Sequence, residues 1–446
     1  MRLVLLFLLA VPGFSRTPSA PVHATLVSSE PAANSRQATS PARVRLVYSE
    51  PVEGRLARVT LIPGAGARLV LRAGADPRDV HAVIAPVADA LAPGSYRVEW
   101  RVVSADGHPV DGTFVFAVGD TTLGSQPVPT SPPPPELEPE VEPDVWGPSV
   151  AGAPIIPAVA RGLALGVLMP AAGLLLFIAF AEPNAPQVAD GRIRTLTTAL
   201  AIASPVLLVT HLLAWLVNTS PDHTLDAAWA TSALGTSVGK IELWRAGLAL
   251  FALWAWWLAR RPRLALAFAA AAVAVSGASG HSAAIAPLWA IPSKAIHLLA
   301  SAVWLGGLLW LVVRPAADDP YRFATDADRV SSRALVAVIA VAFTGVVQTR
   351  LFLTAWSDVV TSPYGWFVIA KTTGLLVLVA FGAYHRQRLM PRMTAGSASD
   401  GVAMRRSVRR EILVMALVIL LGGLLAYVPP PGEGDEASIS TQPSTS

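Results

Sequence analysis

The chain has 446 residues, of which 53% are hydrophobic and 14% charged, with no cysteine and a formal net charge of +4. Soluble domains carry about 25% charged residues, so most of this chain belongs in lipid, and its length exceeds the ~100 to 150 residues usual for one domain. The missing cysteine excludes disulfides, zinc–thiolate sites, iron–sulfur clusters and thiol catalysis. The arginines gather in short loops between apolar runs, a pattern of membrane topology that argues against nucleic acid as a partner.

Residues 1 to 22 follow signal-peptide grammar: Met1-Arg2, an apolar run from Leu3 to Val11, then a Pro-Gly break and small residues. Cleavage after Val22 makes His23 the first residue of the mature chain, with a free amine beside its imidazole. Residues 23 to 118 read as an all-β domain, a Greek-key sandwich or barrel of short strands separated by Pro, Gly and Asp turns. Alternation is clearest from Tyr96 to Val102, where Tyr96, Val98, Trp100 and Val102 share one face. Further strands are expected at Val44 to Tyr48, Val59 to Ile62, Leu69 to Leu71, Val80 to Ile84 and Thr113 to Val118. His81, on an alternating strand, reads as a surface histidine.

Three segments of this domain carry candidate chemistry: His23 to Pro31 at its start, Tyr48-Ser49-Glu50-Pro51-Val52-Glu53, and Trp100 to Pro109 with Asp106-Gly107-His108. In order and spacing they resemble the CopC family of periplasmic copper-binding proteins. The resemblance implies a Cu(II) site in which His23 supplies amine and imidazole nitrogens and Asp106 and His108 complete the set, with Glu50 at a family position near the metal. A nitrogen-rich, carboxylate-assisted, tetragonal site suits Cu(II). Taken alone, Asp106 to Pro109 reads as a plain turn; the terminal His23 is what reverses that reading. No methionine lies between residues 23 and 150, so a Cu(II)-only domain is expected.

Residues 119 to 153, with Pro132 to Pro135 among acids and serines, form an extended Pro-rich linker tethering the domain to the membrane. Residues 154 to 428 then hold about eight apolar segments near the ~20 residues needed to cross lipid: Ile155 to Phe180, Thr195 to Val217, Ile241 to Ala259, Leu264 to Ser279, Ser293 to Val313, Ala334 to Leu353, Trp366 to Tyr384 and Ile412 to Val428. The fourth is short. An α-helical, polytopic domain of the cytoplasmic membrane follows. Its arginine-rich loops are cytoplasmic, and the β domain and the disordered tail from 429 to 446 lie outside.

In that topology the polar residues of the spans gather in the outer half: His211, Glu242, Arg245, His281, Lys294, His297 and Lys371. Lys294, His297, Ser301 and Trp304 fall at i, i+3, i+7 and i+10, a single helix stripe. Ser279-Gly280-His281-Ser282 and His297 to Gly307 resemble the CopD family of copper-associated membrane proteins. That resemblance implies copper transport, usually considered uptake, with His211, His281 and His297 as path ligands. Each histidine is equally readable as a helix-packing group, Gly306-Gly307 as a close helix contact, and Glu242 and Arg245 as a mutually neutralising pair.

The combined expectation is an extracytoplasmic Cu(II)-capturing domain joined to an inward copper transporter, with copper donors outside the membrane as partners. No Walker P-loop or phosphorylation motif points to an ATP-driven pump, and no catalytic chemistry is expected. Two alternatives stand beside it: a membrane-anchored protein that sequesters copper for resistance, and a haem-binding redox protein using paired histidines such as His211 and His297.

Overall fold

Strict alternation of large apolar and polar residues from Gly94 to Val103 produces a strand with one dry face. In the computed structural model of the chain, Tyr96, Val98, Trp100 and Val102 are all buried. The structure describes residues 24–64, 66–105, 107–120, 155–180, 191–221, 223–280, 289–313, 320–353, 355–394, 398–428 and 430–431. The expected signal peptide, His23, Asp106, His281, the linker from 121 and the tail from 432 lie outside the described residues. Two compact units are present: residues 154–218 with 240–431, and the β domain, with which residues 219–239 are grouped.

The β domain has nine strands: β1 (Leu26–Glu30), β2 (Arg36–Gln37), β3 (Arg43–Tyr48), β4 (Arg58–Pro63), β5 (Leu69–Leu71), β6 (Gly74–Asp76), β7 (Asp79–Pro86), β8 (Gly94–Val103) and β9 (Pro109–Val118). They form a four-stranded sheet, β1-β3-β7-β6, and a five-stranded sheet, β2-β9-β8-β4-β5. All pairings are antiparallel except β2 with β9. Inward residues of both sheets, including Val44 and Leu46 from one and Val59, Val98 and Phe116 from the other, meet in a shared core, so the domain is a β-sandwich. Gly112 of β9 faces Trp100, where any Cβ would collide with the indole. The β8–β9 hairpin runs in register from Gly94↔Val118 to Val103↔Pro109, so its connection, residues 104 to 108, projects from one end of the sandwich. All six predicted strands are present; β1, β2 and β6 were not anticipated.

The second unit is helical. Its elements are α1 (Ile155–Ala179), α2 (Gly191–Thr219), α4 (Ser237–Trp257), α5 (Pro262–Val275), α6 (Ala290–Val313), α7 (Pro320–Phe352), α8 (Asp358–Thr361), α9 (Pro363–Tyr384), a π-helical turn His385–Leu389, α10 (Met390–Thr394) and α11 (Ala398–Leu425). The short α3 (Ala227–Leu234), capped by the Asp226 carboxylate, is grouped with the β domain. Each of the eight predicted apolar segments forms a helix. Five described helical stretches are long and apolar enough to cross a membrane: α1, α2, α6, Phe323–Phe352 within α7, and Pro363–Thr394 across α9 and α10. Of the other three, α5 has 14 residues. Helices α4 and α11 carry Lys240, Glu242 and Arg245, and Arg409, Arg410 and Glu411, within a span-length window. Small residues let the helices touch: a Cβ on Gly173 of α1 or Gly306 of α6 would overlap the other's backbone, and Gly423 of α11 meets Gly162 of α1 in the same way.

Candidate metal centre

Backbone and hydroxyl hydrogen bonds draw the three candidate segments of the β domain together. Thr25, two residues beyond His23, donates to the Ser49 hydroxyl from both its N–H and its own hydroxyl at 3.0 Å. Ser49 N–H returns a bond to Thr25 O at 2.9 Å. The residues after Glu50 are tied to the hairpin connection: Ala105 N–H donates to Pro51 O at 3.0 Å, Glu53 N–H to Val103 O at 2.8 Å, and Val52 bridges Ser104. The connection is itself a tight turn. Gly107 N–H reaches Ser104 O at 2.9 Å, Ser104 N–H reaches His108 O at 2.9 Å, and Gly107 sits at φ +94°, a region that favours glycine.

The start of the described chain, the Glu50 segment and the loop carrying His108 therefore share one end of the sandwich. Glu50 is 2% exposed and His108 partly exposed. Beneath them Tyr48 and Trp100 pack edge to face at 5.4 Å, and burial pushes the Tyr48 phenol well above its usual range, keeping it neutral. His81 is half-exposed on β7 with its Nδ1 3.4 Å from Asp79, next to Val80, whose carbonyl accepts from Val52 N–H at 3.1 Å. Across the four-stranded sheet, Arg45 of β3 binds Asp76 Oδ2 of β6 and Asp79 Oδ2 of β7, each at 2.9 Å. Backbone N–H donors, with the guanidinium, hold both carboxyls below the ordinary aspartate range.

In the helical unit, Lys294, His297, Ser301 and Trp304 of α6 line one cavity of about 250 Å³, as their spacing requires. Arg161 of α1 and Lys371 of α9 line it too, as do the thioethers of Met169 and Met415. Arg161 and Lys294 converge on one carbonyl, Ser279 O, at 3.1 and 2.6 Å. The tautomer of His297 follows from its partner. The Thr344 hydroxyl has a single proton, which it donates to Ala340 O at 2.6 Å, so at 2.9 Å it accepts from His297 Nδ1–H. His297 Nε2 is left with its lone pair, the form of imidazole that binds a metal.

His211 sits in a separate buried network. Its Nδ1 is 3.1 Å from Glu242 Oε2 and its Nε2 3.4 Å from the Tyr427 hydroxyl. Arg245 grips both oxygens of Glu242 at 2.6 Å and donates to the Ser276 hydroxyl at 3.0 Å. Glu242 and Arg245 thus form the neutralising pair their spacing suggests, with His211 as a third member.

Sequence reasoning missed Arg161, Met415 and a further cluster: Trp304 Nε1–H donates to Glu411 Oε1 at 3.1 Å, and His385 lies between Glu411 and Ser407. Glu411 and His385 border the arginine-rich stretch from 386 to 410, and reading that stretch as a loop hid them.

Comparison with known proteins agrees with this two-part architecture. The CopC domain family matches residues 26–119, the N-terminal domain of the copper resistance protein D-like family residues 153–287, and the copper resistance protein D family residues 324–425. Copper resistance protein C of Pseudomonas syringae pv. tomato is 37% identical over 108 residues, 22% of this chain and 82% of that protein. Copper transport protein CutJ of Bacillus subtilis (strain 168) is 23% identical over 452 residues, covering 97% of this chain and 78% of that protein. The crystal structure of CopC from Methylosinus trichosporium OB3b is 31% identical, with 23% of this chain and 99% of that chain covered and a TM-score of 0.21. The chain belongs to the CopC family through its β-sandwich and continues into a CopD-type helical domain, which makes it a multi-pass membrane protein and a CopC/CopD fusion.

Proposed function

We propose that the β-sandwich captures Cu(II) outside the cytoplasmic membrane and that the helical domain carries copper inward through the cavity beside His297. The capture site comprises the amine and imidazole of His23, the Asp106 carboxylate and the His108 imidazole, with Glu50 as an adjacent carboxylate. The observation that carries this reading is the set of ties from Thr25 to Ser49 and from Pro51 to Ala105, which brings the three donor-bearing segments to one end of the domain. Membership of the CopC family supports copper as the ion, and the relative named a copper transport protein supports transport.

The orientation rests on charge. With residues 1 to 22 removed as a signal peptide, the sandwich and the tail lie outside, and α4, α5 and α11 complete eight spans with the five long apolar stretches. The linker from 119 to 153 holds the capture site near the membrane and raises the effective concentration of copper there. His281 and His297 then receive copper at the outer ends of their helices. His297 offers an unprotonated nitrogen, and Met169 and Met415 add soft donors suited to copper in its lower oxidation state. Copper reaches His211 only by displacing Glu242 or Tyr427.

Two measurements test this reading. A protein with one extra residue before His23 loses the amine donor, and its Cu(II) affinity and electron paramagnetic resonance spectrum should both change; if neither does, the terminal chelate is wrong. Copper accumulation inside proteoliposomes containing the full chain tests transport. A second reading, capture and sequestration without transport, is favoured by the relatives named as copper resistance proteins, and it predicts bound copper with an empty lumen.

A further inference from the structure

Glu411 is a carboxylic acid 1% exposed inside a helix packed by apolar neighbours, and nothing in the copper site uses it. Ionisable groups are costly at such positions, and where they persist they mark ion pathways and proton relays. Its two oxygens have different surroundings. Oε1 accepts from Trp304 Nε1–H at 3.1 Å, and Trp304 also lines the cavity that holds His297. Oε2 is buried without a hydrogen bond among the described residues and lies 3.5 Å from His385 Nδ1. His385, 5% exposed, has its other nitrogen 2.8 Å from the Ser407 hydroxyl, and it opens the π-helical turn that follows α9. Such turns interrupt helices frequently at functional positions. The order is therefore cavity, Trp304, Glu411, His385, Ser407.

Several charged groups on the surrounding helices have other neighbours, while Arg409 and Arg410 precede Glu411 on its own helix and Arg386 follows His385. Arg161, the only charge on α1, holds Ser279, and Lys294, the only charge on α6, holds the same carbonyl. Lys371 of α9 faces the cavity, Arg405 of α11 donates to Val312 O at 2.9 Å, and Arg333 of α7 lies over the Phe177 ring at 5.1 Å. Helix α7 also contributes a buried carboxylate, Asp326.

We propose that Glu411 and His385 form a proton-transfer pair that couples copper movement through the cavity to movement of a proton toward Ser407. The proposal rests on the transport reading given above. With His385 Nε2–H donating to Ser407, Nδ1 presents its lone pair to Glu411 Oε2. A proton on Oε2 passes to Nδ1, leaving a carboxylate and an imidazolium; the reverse transfer restores both. A copper cation in the cavity favours the carboxylate by Coulomb attraction in a site of low dielectric. Trp304, which lines the cavity and donates to Oε1, holds that carboxylate in place.

The test uses the full chain in proteoliposomes with a lumenal pH dye, and copper supplied as Cu(II) or, under ascorbate, as Cu(I). Parental protein should show copper uptake accompanied by a lumenal pH change, and an imposed gradient should shift accumulation by up to about tenfold per pH unit for one proton. Glu411→Gln keeps an acceptor for Trp304 and should abolish both the pH change and the gradient dependence; His385→Gln should do the same, and Asp326→Asn should leave them intact. If Glu411→Gln does not fold, His385→Gln decides alone. Retention of parental coupling by the folded variants overturns the proposal. Parental copper uptake with no proton movement also overturns it and leaves the transport reading standing, whereas no parental uptake of either ion overturns both.

Discussion

Replacing Thr344 by valine keeps the side chain's shape and removes only its hydroxyl. That hydroxyl donates to Ala340 O at 2.6 Å and accepts from His297 Nδ1 at 2.9 Å, so the substitution removes the side-chain partner that orients the imidazole. A hydrogen bond of this kind contributes about 0.5–1.5 kcal/mol net. The larger effect is on the metal-binding nitrogen, because the Thr344 bond fixes the tautomer that leaves Nε2 bare. Loss of a partner that orients a ligating histidine lowers metal affinity about 10- to 100-fold, equivalent to about 1.4–2.8 kcal/mol. Copper uptake by the full chain, measured at copper concentrations below saturation, should fall by that factor in Thr344→Val and recover in Thr344→Ser. Parental uptake by Thr344→Val, in a preparation where His297→Ala is slow, would refute the assignment of Nε2 as a copper ligand.

Three further outcomes follow from the geometry. His108→Ala and Asp106→Ala should weaken Cu(II) binding while leaving the β domain folded, the histidine more than the aspartate, because none of the described residues of the hairpin connection belongs to the apolar core of Val44, Val98 and Phe116; copper titration with circular dichroism on the same samples checks this. Gly306→Val inserts a side chain where α6 meets the backbone of α1 at Gly173, and overpacking of this kind costs about 1–3 kcal/mol, which thermal unfolding in detergent should register as a lowered midpoint. Asp76 and Asp79 are depressed below the ordinary value of 3.8 in the folded domain, chiefly by backbone N–H donors. Their contribution is thus present above that value and lost as pH falls through the folded pKa; denaturation of the β domain between pH 5 and 2 (about the range set by carboxylate titration) should show a smaller loss in Asp76→Asn than in the parent.

Much of this architecture was readable because its physical signals are periodic. The two-residue repeat from Tyr96 to Val102 marked β8 and its buried face, and the spacing of Lys294, His297, Ser301 and Trp304 placed all four on one cavity wall. Strand β2 left no such signal: Arg36 and Gln37 form a parallel pair with Ala117 and Val118, a contact set by the fold and not by their own pattern. Helices α4 and α11 are apolar in most of their length but carry three charges each within a span-length window, so hydropathy marks them less clearly than α1 or α6. Those same charges are where the chemistry lies. Glu242 is paired within α4 by Arg245, which its i, i+3 spacing announced. Glu411 instead meets Trp304, 107 positions earlier in the chain, and His385 from another element, partners that no local pattern reveals. Arg161 was likewise silent, a single arginine in an apolar run whose role depends on Ser279, 118 residues away.

The most direct test of the account is copper accumulation inside sealed proteoliposomes holding the full chain with its mature terminus at His23, oriented with the β-sandwich outward. The account predicts that external copper appears in the lumen and that His297→Ala abolishes its entry without changing Cu(II) affinity at the β domain. Tight binding of Cu(II) to the outside, with a lumen that stays free of copper in the parental protein, would contradict it.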